Sequence, residues 1–505
     1  ANSQIAVLDY GNPIYIERLM ATARHYDELL SKNVAGHLHF HDDYYGWYNT
    51  RNPATGKLIL HPLKINENGT DQPSNASALQ PAMLLGWYNN NQYSIDTLQQ
   101  WTDAMLSHMI ADADGKKIFG GVSVDFKTDK SSAPRMGVNY GYGFMSGLNA
   151  LWDLTGDSRY LDAMKVAIDS EITRYNFPRG SSEVFDRYFQ ATSDPSFKDK
   201  IIAAANDPKL WTNSLHDDNY YQMISIYEAW QYTGDLKYIE DGTKLTLNDT
   251  TWELPMLTTA EASTDRVWTP QVLINRVALG GPAMKRNQDY PVLGASWENA
   301  TGRVAPFVKS YDKTSLDTWV QNMEDHPVTV TMRLWSLDHG QYDISQGIDA
   351  NQDGAFDGQP QQSSAELARY GAVKITIPAR ALWLVKIKQT KQLDDIRKRA
   401  DLAITADDAT YDPTTKKLTL VIHNIGAKAS GDFKMRVTDG TKVLLDKTIS
   451  SLNAPIDLMP KTTTISLIIE PNASIRVQLD PENALSEITE VNNEITVTPA
   501  NLPSQ

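Results

Sequence analysis

The sequence contains no cysteine, which excludes disulfide bonds, thiolate-bound metals, iron–sulfur clusters and cysteine nucleophiles. It also lacks any apolar run as long as a membrane-spanning helix requires, so we expect no membrane span. Basic residues are scarce relative to acidic ones, 47 against 62, and the net charge of −15 argues against a nucleic-acid partner, which needs a basic surface. The first residues have neither the basic nor the apolar region of a secretory signal, so an exported form would already have lost its signal.

What is present is the composition of a folded globular protein. Of the 505 residues, 41% are hydrophobic and 22% are charged, which is enough apolar surface to bury large cores and excludes general disorder. Because a domain takes roughly 100–200 residues, the length predicts two to four domains.

The first part of the chain reads as a series of helices. Apolar residues recur every three to four positions, as in the run from Ile16 to Leu30, and this spacing is typical of a helix with one buried face. The predicted helices are 16–30, 76–88, 94–112, 139–154, 158–175, 217–232 and 236–247.

An internal repeat predicts how these helices are connected. Residues 151–162, LWDLTGDSRYLD, align without gaps on residues 229–240, AWQYTGDLKYIE. Gly156 and Gly234 suit the left-handed residue that ends a helix, and Asp157 and Asp235 suit the N-cap of the next. A weaker third copy places the same tight turn near Asn90. The repeated unit is therefore an αα-hairpin, which must stack on its neighbours to bury its apolar face.

Repeated hairpins with such a turn, followed by β-rich segments, resemble the (α/α) toroid of many polysaccharide lyases and glycoside hydrolases. The resemblance covers roughly residues 10–285 and implies a carbohydrate-active enzyme. About four hairpins are recognisable, fewer than such toroids usually contain, so the chain either lacks part of the toroid or forms an incomplete one.

After about Pro306 the hydrophobic period changes from helical to alternating, which predicts antiparallel β-structure. We divide the chain into a toroid domain at 1–305, an antiparallel β-sandwich at 306–392, and a linker with an immunoglobulin-like sandwich at 393–505. The fold class is thus multidomain α plus β.

The end of the chain, VQLDPENALSEITEVNNEITV, resembles the CARDB domain of bacterial surface and secreted proteins. The residues that carry the resemblance are Asp480, Glu487, Glu490, Asn492 and Asn493. It implies a bacterial protein that is secreted, extracellular or periplasmic, and contact with a cell surface or glycan through the C-terminal domain.

The segment IDANQDGAFDG has the spacing of an oxygen-rich calcium loop. Asp349, Asn351, Asp353 and Asp357 occupy positions 1, 3, 5 and 9, and the carbonyl of Ala355 occupies position 7. Position 12 is proline instead of glutamate, so the loop is not an EF-hand. We predict a structural calcium ion here; the alternative is a solvated acidic loop.

The long connections, at about 33–75, 113–136 and 176–215, are expected to emerge opposite the tight turns and to form a cleft that binds polysaccharide. A uronic-acid lyase must neutralise the substrate carboxylate, remove the α-proton and protonate the leaving oxygen. By residue type and location, the predicted catalytic residues are Arg135 and Asn139 for neutralisation, His216 as base, and Tyr220 or Tyr142 as acid. Tyr140 is a further candidate for the acid. Alternatively, Tyr142 and Tyr220 are core residues, and His216 only neighbours an N-cap.

Substrate contacts are predicted from an aromatic segment and its polar neighbours. The rings of Tyr44, Tyr45 and Trp47 suit stacking on sugars, with His41 and Asp217 beside the substrate. The alternative is a loop packed over the rim of the toroid.

Two other functions remain open from the sequence. Asp42 or Asp43 with Asp217 or Asp218 could serve an inverting glycoside hydrolase, and a non-catalytic glycan-binding or adhesion protein is a further alternative. His37, His39 and His41 alternate and would share one face of a strand, and acids beside His41 and His216 permit a metal. Without a partner motif we interpret the three histidines as structural.

Overall fold

The fold is described by a computed structural model. The described residues are 6–42, 69–119, 123–132, 143–175, 182–207, 218–259, 272–281, 290–470 and 474–498. Within helices, only the backbone is described for 174–175, 182–183, 218–224, 248–250, 252–259 and 272.

These residues form helices in the first half of the chain. The helices are α1 (Pro13–Ala23), α2 (Tyr26–Leu29), α3 (Gln80–Asn89), α4 (Gln92–Ser107), α5 (Phe144–Thr155), α6 (Ser158–Tyr175), α7 (Ser182–Thr192), α8 (Lys198–Ala205), α9 (Asp218–Thr233), α10 (Leu236–Thr259) and α11 (Val272–Leu279). Among the described residues, no helix combines the length and the apolar character needed to cross a bilayer.

The predicted αα-hairpins are present. The pairs α3/α4, α5/α6 and α9/α10 pack side by side, and each turn has a residue in the left-handed region: Asn90 (φ 52°), Gly156 (φ 71°) and Gly234 (φ 69°). Asp157 and Asp235 each accept a hydrogen bond, 2.9 Å long, from the backbone N–H two residues later. The three turns therefore share one role, which is to provide hydrogen-bond partners for backbone groups at the end of one helix and the start of the next.

Three predicted helix boundaries and one predicted connection are wrong. The first helix ends at Ala23, and Leu30 begins a strand paired with Phe40, because that pairing outweighs the helical spacing. The helix predicted at 94–112 ends at Ser107. The connection predicted at 176–215 contains α7 and α8. The last predicted helix continues to Thr259.

Short strands join the described parts of the first two long connections. These strands are β1 (Leu30–Lys32), β2 (Leu38–Phe40), β3 (Thr70–Asp71), β4 (Ile110–Ala111), β5 (Lys117–Ile118) and β6 (Val124–Asp125). β1 pairs with β2, β4 with β5, and β3 with β6. The β3–β6 pair links the connection before α3 directly to the connection after α4.

The central β-region consists of two antiparallel sheets around one core. Its strands are β7 (Ala295–Glu298), β8 (Val304–Tyr311), β9 (Ser315–Asn322), β10 (Val328–Leu334), β11 (Gly340–Ile348), β12 (Gln361–Leu367), β13 (Ala372–Ile377) and β14 (Leu382–Gln392). One sheet has the order β13-β10-β7 and the other β12-β11-β14-β9-β8. β-structure thus begins at Ala295, before the predicted start near Pro306.

The C-terminal region is a second pair of antiparallel sheets. Its strands are β15 (Leu402–Ala403), β16 (Ala409–Asp412), β17 (Lys417–Asn424), β18 (Phe433–Asp439), β19 (Lys442–Ile449), β20 (Thr462–Ile468), β21 (Ile475–Leu479) and β22 (Glu494–Val497). β17 pairs with β15, β16 and β20, and the other sheet has the order β19-β18-β21-β22.

The turn ends of the hairpins pack against the β-regions. Beside the Asn90 turn, the Arg369 guanidinium lies 4.2 Å from the centre of the Trp87 ring. Beside the Gly156 turn, Lys313 donates to the carbonyl of Asp153 at 2.7 Å.

The Gly234 turn follows the same rule. The rings of Trp230 and Phe307 lie 4.8 Å apart. All three described turns therefore point toward β-structure, and we call this side of the helical region the turn end. The opposite side, from which the long connections depart, we call the loop end.

Candidate functional site

Most of the predicted catalytic and substrate-binding residues lie outside the described residues. These are Arg135, Asn139, Tyr140, Tyr142, His216 and Asp217, together with Asp43, Tyr44, Tyr45 and Trp47. Tyr220 and Asp218 lie in the first turn of α9, of which only the backbone is described. His41 and Asp42 are the described members of the predicted set, apart from the calcium loop.

The described site at the loop end is a cluster of three histidines and one aspartate. His37 and His39 stand two residues apart on and just before β2, so their side chains share one face. His108 follows the last turn of α4, and Asp129 follows β6. We call these four residues the histidine cluster.

The distances show how closely the histidine cluster is packed around Asp129. Nδ1 of His37 lies 3.1 Å from one carboxylate oxygen of Asp129. Nε2 of His39 and Nε2 of His108 each lie 3.6 Å from the other oxygen. The three imidazole rings are 5.9–6.2 Å apart, centre to centre. Asn33 also donates to Asp129.

A second layer of hydrogen bonds orients His39. Its Nδ1 lies 2.9 Å from Asp71, and both side chains are fully buried. The same Asp71 accepts from the backbone N–H of Phe40 at 3.1 Å, from the indole of Trp101 at 2.7 Å and from the amide of Asn75 at 2.8 Å. Because the other three neighbours all donate to Asp71, its carboxyl acts as the acceptor here, and this places the His39 proton on Nδ1.

Burial and charge act on the members of this cluster in opposite directions. Burial lowers the pKa of His108 despite the nearby carboxylate. For Asp129, burial acts to raise the pKa, but the Asn33 hydrogen bond and the neighbouring histidines outweigh it, and the pKa is lowered. The two shifts favour a neutral His108 beside an ionised Asp129.

His41 does not join the cluster, although it continues the alternation of His37 and His39. Its Nε2 lies 2.7 Å from the hydroxyl of Ser31, and its ring packs on Phe126 with centres 5.0 Å apart. Burial lowers its pKa. The sequence predicts that all three histidines share one face, and the structure brings only His37 and His39 together. Their partners His108 and Asp129 are not predicted, because they look like ordinary surface residues in the linear pattern.

The helical core contains a pair of carboxyls that no sequence motif marks. Asp186 in α7 and Glu228 in α9 are fully buried, and Asp186 forms an ion pair with the buried Arg276 of α11. Burial raises the pKa of Asp186 to about 6 and that of Glu228 well above its ordinary value. Neither carboxylate oxygen of Glu228 has a hydrogen-bond partner among the described residues. A raised pKa suits a general acid, but both side chains are buried away from solvent.

At the turn end, Asp153 anchors the helical region to the central β-region. Its carboxylate accepts from the Tyr290 hydroxyl at 2.6 Å and lies 3.2 Å from the ammonium of Lys313 and 3.3 Å from Arg187. Although burial acts to raise the pKa of Asp153, Lys313 and Arg187 outweigh it and hold the pKa well below its ordinary value. We therefore interpret this group of polar contacts as structural, holding the helical region against the central β-region.

The predicted calcium residues lie together in the loop between β11 and β12. Asp349 is fully buried and accepts from the Trp319 indole at 2.7 Å and from the backbone N–H of Gly354 at 2.9 Å. Asn351 donates to Asp353 at 3.0 Å, and Asp357 accepts from the backbone N–H of Ala350 at 2.6 Å.

Lysine also contacts this loop, since the ammonium of Lys386 donates to the carbonyl of Gly354 at 2.7 Å. The backbone N–H of Ala355 donates to Asp353 at 2.7 Å. The loop is thus closed by its own donors, and a calcium ion would have to replace several of these hydrogen bonds.

The acidic and amide residues near the C-terminus tie strands of the last sandwich together. Asn493 donates to Glu487 at 3.0 Å and to Glu490 at 2.8 Å. Asn492 donates to the carbonyl of Gly11 at 3.0 Å, in the helical region. Asp480 accepts from a backbone N–H at 2.7 Å.

Residues 399–497 match the family model for CARDB. The C-terminal sandwich is a CARDB domain. This confirms the resemblance seen in the sequence, and among the residues that carried it Asn492 also joins the CARDB domain to the start of the chain.

Solved structures give weaker matches. A CARDB domain from Pyrococcus furiosus, in complex with di-metal ions, aligns with 20% of this chain and 90% of its own at 20% identity and a TM-score of 0.16. A GH127 β-L-arabinofuranosidase from Geobacillus stearothermophilus T6 aligns with 77% of this chain and 76% of its own, at 10% identity and a TM-score of 0.24.

A β-porphyranase of glycoside hydrolase family 86 from Bacteroides plebeius aligns with 35% of each chain, at 7% identity and a TM-score of 0.12. With TM-scores this low, these alignments assign neither a fold nor an activity to the chain. No curated protein matches the sequence.

Proposed function

We propose that the protein is a carbohydrate-active enzyme: a secreted bacterial polysaccharide lyase, built on an α/α toroid, that cleaves a uronic-acid-containing polysaccharide by β-elimination. The observation that carries this proposal is the division of the helical region into a turn end and a loop end. β-structure packs on the turn end, so the loop end is the face left for a substrate.

The described parts of two long connections support a single site at the loop end. α4 begins at the Asn90 turn and therefore ends, at Ser107, on the opposite side. α5 runs the other way and begins there, and the rings of Trp101 and Phe144 lie 5.9 Å apart. The β3–β6 pair and the contact of His37 with Asp129 join the two connections to each other.

The residues predicted from the sequence to be catalytic stand, in chain order, next to described segments of the loop end. Arg135 and Asn139 lie between the described Ser132 and the start of α5, and Tyr220 lies in the first turn of α9. α9 ends at the Gly234 turn, so its first turn is at the loop end. These positions would bring neutralising, basic and acidic groups to one cleft.

The reaction assigns one task to each group. Asn139 and Arg135 hold the substrate carboxylate and stabilise the charge that develops when the C5 proton leaves. His216 takes that proton as general base. Tyr220 or Tyr142 donates a proton to the glycosidic oxygen as the C4–O bond breaks and the C4=C5 double bond forms. Tyr44, Tyr45 and Trp47 stack on neighbouring sugars, beside His41 and Asp217.

Two further parts of the proposal concern the β-regions. Calcium would bind the loop of Asp349, Asn351, Asp353, Ala355 and Asp357 and hold it for a structural purpose. The CARDB domain would contact a cell surface or glycan outside the cell.

A panel of polysaccharides separates the candidate reactions. The protein is incubated with acidic and neutral polysaccharides while ultraviolet absorbance of unsaturated uronate and the formation of reducing ends are followed together. A lyase raises both signals. Reducing ends alone indicate a hydrolase that uses Asp42 or Asp43 with Asp217 or Asp218. If neither signal rises, the protein binds polysaccharide without cleaving it. Reducing ends alone, or no signal at all, would each contradict the proposal.

Substitutions then test the individual residues on the substrate so identified. His216→Ala and Tyr220→Phe should lower kcat by about 100-fold or more, the scale of losing an acid or base. The matched controls are His326→Ala, exposed in the central β-region, and Tyr238→Phe, at the turn end of α10. Larger losses in Asp217→Asn and Asp218→Asn than in His216→Ala would instead support a hydrolase.

A further inference from the structure

We propose that the histidine cluster of His37, His39, His108 and Asp129 binds one zinc ion. This inference rests on the described geometry alone and does not depend on the proposed reaction. It also revises the structural interpretation given to the histidines from the sequence.

The spacing of the four side chains fits a tetrahedral ion. Ligand atoms about 2.0–2.1 Å from a tetrahedral zinc ion lie about 3.3 Å from one another. In the cluster, the three nitrogen-to-carboxylate distances are 3.1, 3.6 and 3.6 Å. One ligand atom from each of the four residues lies within 4.8 Å of all the others. Small side-chain movements would therefore complete the site.

Two buried nitrogens in the cluster have no hydrogen-bond partner within the part of the chain that the structure describes. Nε2 of His39 and Nε2 of His108 are both buried, and their 3.6 Å distances to Asp129 exceed the length of a hydrogen bond. Buried polar atoms are nearly always satisfied, so two such nitrogens facing one carboxylate need an explanation. A cation at the point they share would satisfy both.

His39 is held in the form that binds a metal. Because the N–H at Nδ1 donates a hydrogen bond to Asp71, Nε2 carries a lone pair directed at the cluster. A carboxylate that accepts from the second nitrogen of a ligating histidine is the usual support of zinc sites. Asp71 is itself fixed by Trp101, Phe40 and Asn75, so the His39 ring cannot turn freely.

The donor set selects the metal. Three imidazole nitrogens and one carboxylate suit zinc, whereas calcium and magnesium take oxygen ligands. Four protein ligands would fill a tetrahedral shell, which is the arrangement of a structural site. The ion would join β2, the end of α4 and the turn after β6, and so fix the segments from which connections 43–68 and 133–142 continue.

The test measures metal content and stability on the full chain expressed without a polyhistidine tag. We expect about one zinc per chain by elemental analysis. Removal by a chelator should lower Tm, and added zinc should restore it. Cobalt in place of zinc should give the visible absorption bands of a tetrahedral site with nitrogen ligands. His108→Ala and Asp129→Asn should each weaken zinc binding by more than about 100-fold, beyond the loss for a supporting residue.

His41→Ala is the matched control, because His41 belongs to the same histidine run and lies outside the cluster. It should retain one zinc and the cobalt spectrum. His108 and Asp129 are partly exposed, so their variants are expected to fold, and circular dichroism checks this. Wild-type protein that neither contains zinc nor gains stability from it overturns the proposal. Zinc that binds equally to wild type and His108→Ala lies elsewhere and also overturns it.

Discussion

Nδ1 of His39 lies 2.9 Å from a carboxylate oxygen of Asp71, and neither side chain has any exposed surface. The two residues come from different segments, β2 and β3, and the contact joins them beneath the histidine cluster. It fixes which ring nitrogen of His39 carries the proton, and it connects the cluster to the core through Trp101. Asp71 is therefore a positioning residue of this site, because it orients His39 without facing the proposed ion.

Replacing Asp71 with asparagine should damage both the fold and the site. The amide would present a donor to at least one of the groups that now donate to Asp71, and hydrogen bonds to a buried charge contribute about 1.5–3 kcal/mol each. We expect the free energy of unfolding to fall by about 2–4 kcal/mol in urea titrations, and zinc affinity to fall by about 10–100-fold.

Asp112→Asn is the control for this change, since Asp112 is an aspartate in an exposed turn after α4 that accepts hydrogen bonds from nearby backbone N–H groups. Its free energy of unfolding should change by less than about 0.5 kcal/mol. An equal stability of Asp71→Asn and the wild type would contradict the role assigned to Asp71.

Two of the hairpin turns predict opposite effects on stability, for Gly156→Ala and for Asn90→Gly. Gly156 has a φ of 71°, and a Cβ added there would meet no atom of the described residues within 4 Å, so Gly156→Ala adds backbone strain and no clash. It should cost about 1 kcal/mol of unfolding free energy. Asn90→Gly removes the same strain at the equivalent position, where φ is 52°, and should be neutral or stabilising.

Thermal or urea unfolding of the two variants measures the difference. Gly147→Ala provides the comparison in the same helix as the Gly156 turn, because Gly147 is helical and a Cβ added there would make only ordinary contacts. A Gly156→Ala protein as stable as the wild type would show that the turn does not depend on a left-handed residue.

Buried acids of the CARDB domain predict how stability depends on pH. Burial raises the pKa of Asp401 to about 8 and that of Glu487 to about 9. For both groups the folded-state pKa is above the unfolded value. The free energy of unfolding is therefore highest below about pH 4, where both states hold the proton, and it falls as pH rises toward 8–9. Each proton contributes a slope of about 1.4 kcal/mol per pH unit in this window.

Unfolding free energies measured from pH 5 to pH 9 test this dependence. Asp401→Asn removes one of these carboxyls, so its decline with pH should be shallower by about 1.4 kcal/mol per pH unit. Glu487 and the buried Asp186 and Glu228 account for part of the decline that remains. Identical pH slopes in the variant and the wild type would show that Asp401 does not hold a proton in the folded protein.

Calcium should stabilise the central β-region. If the loop binds calcium, Tm should rise on adding calcium and fall with a calcium chelator that leaves zinc in place, and Asp353→Ala should lose the response. Asp343→Ala is the control, since Asp343 lies on β11 outside the loop. A calcium response of the same size in Asp353→Ala would exclude this loop as the site.

The sequence predicts local features of the fold well. The TGD turns depend on a left-handed residue and an N-cap within three positions, so Gly156 and Asp157 are sufficient to indicate them. The CARDB domain is also recognisable from its last strands. By contrast, the end of α1 could not be predicted, because Leu30 continues the helical spacing while its partner in the strand, Phe40, is ten residues away.

The candidate site shows the same limit more strongly. His37 and His39 form a visible pattern, but the cluster exists only through His108 and Asp129, which tertiary structure brings to them from distant parts of the chain. Asp186 and Glu228 are similarly invisible, since a single acid within a helical segment normally reads as a surface residue. Pairings across the fold are decided by packing that a single sequence does not display.

The mass of the cleavage products tests the central claim most directly. An acidic polysaccharide degraded by the full-length protein is analysed by mass spectrometry, with His216→Ala as the inactive comparison. β-Elimination predicts oligosaccharides whose new non-reducing end is lighter by one molecule of water than a hydrolysed end. Products that all carry the mass of hydrolysis, or wild-type products that His216→Ala forms at the same rate, would contradict the account.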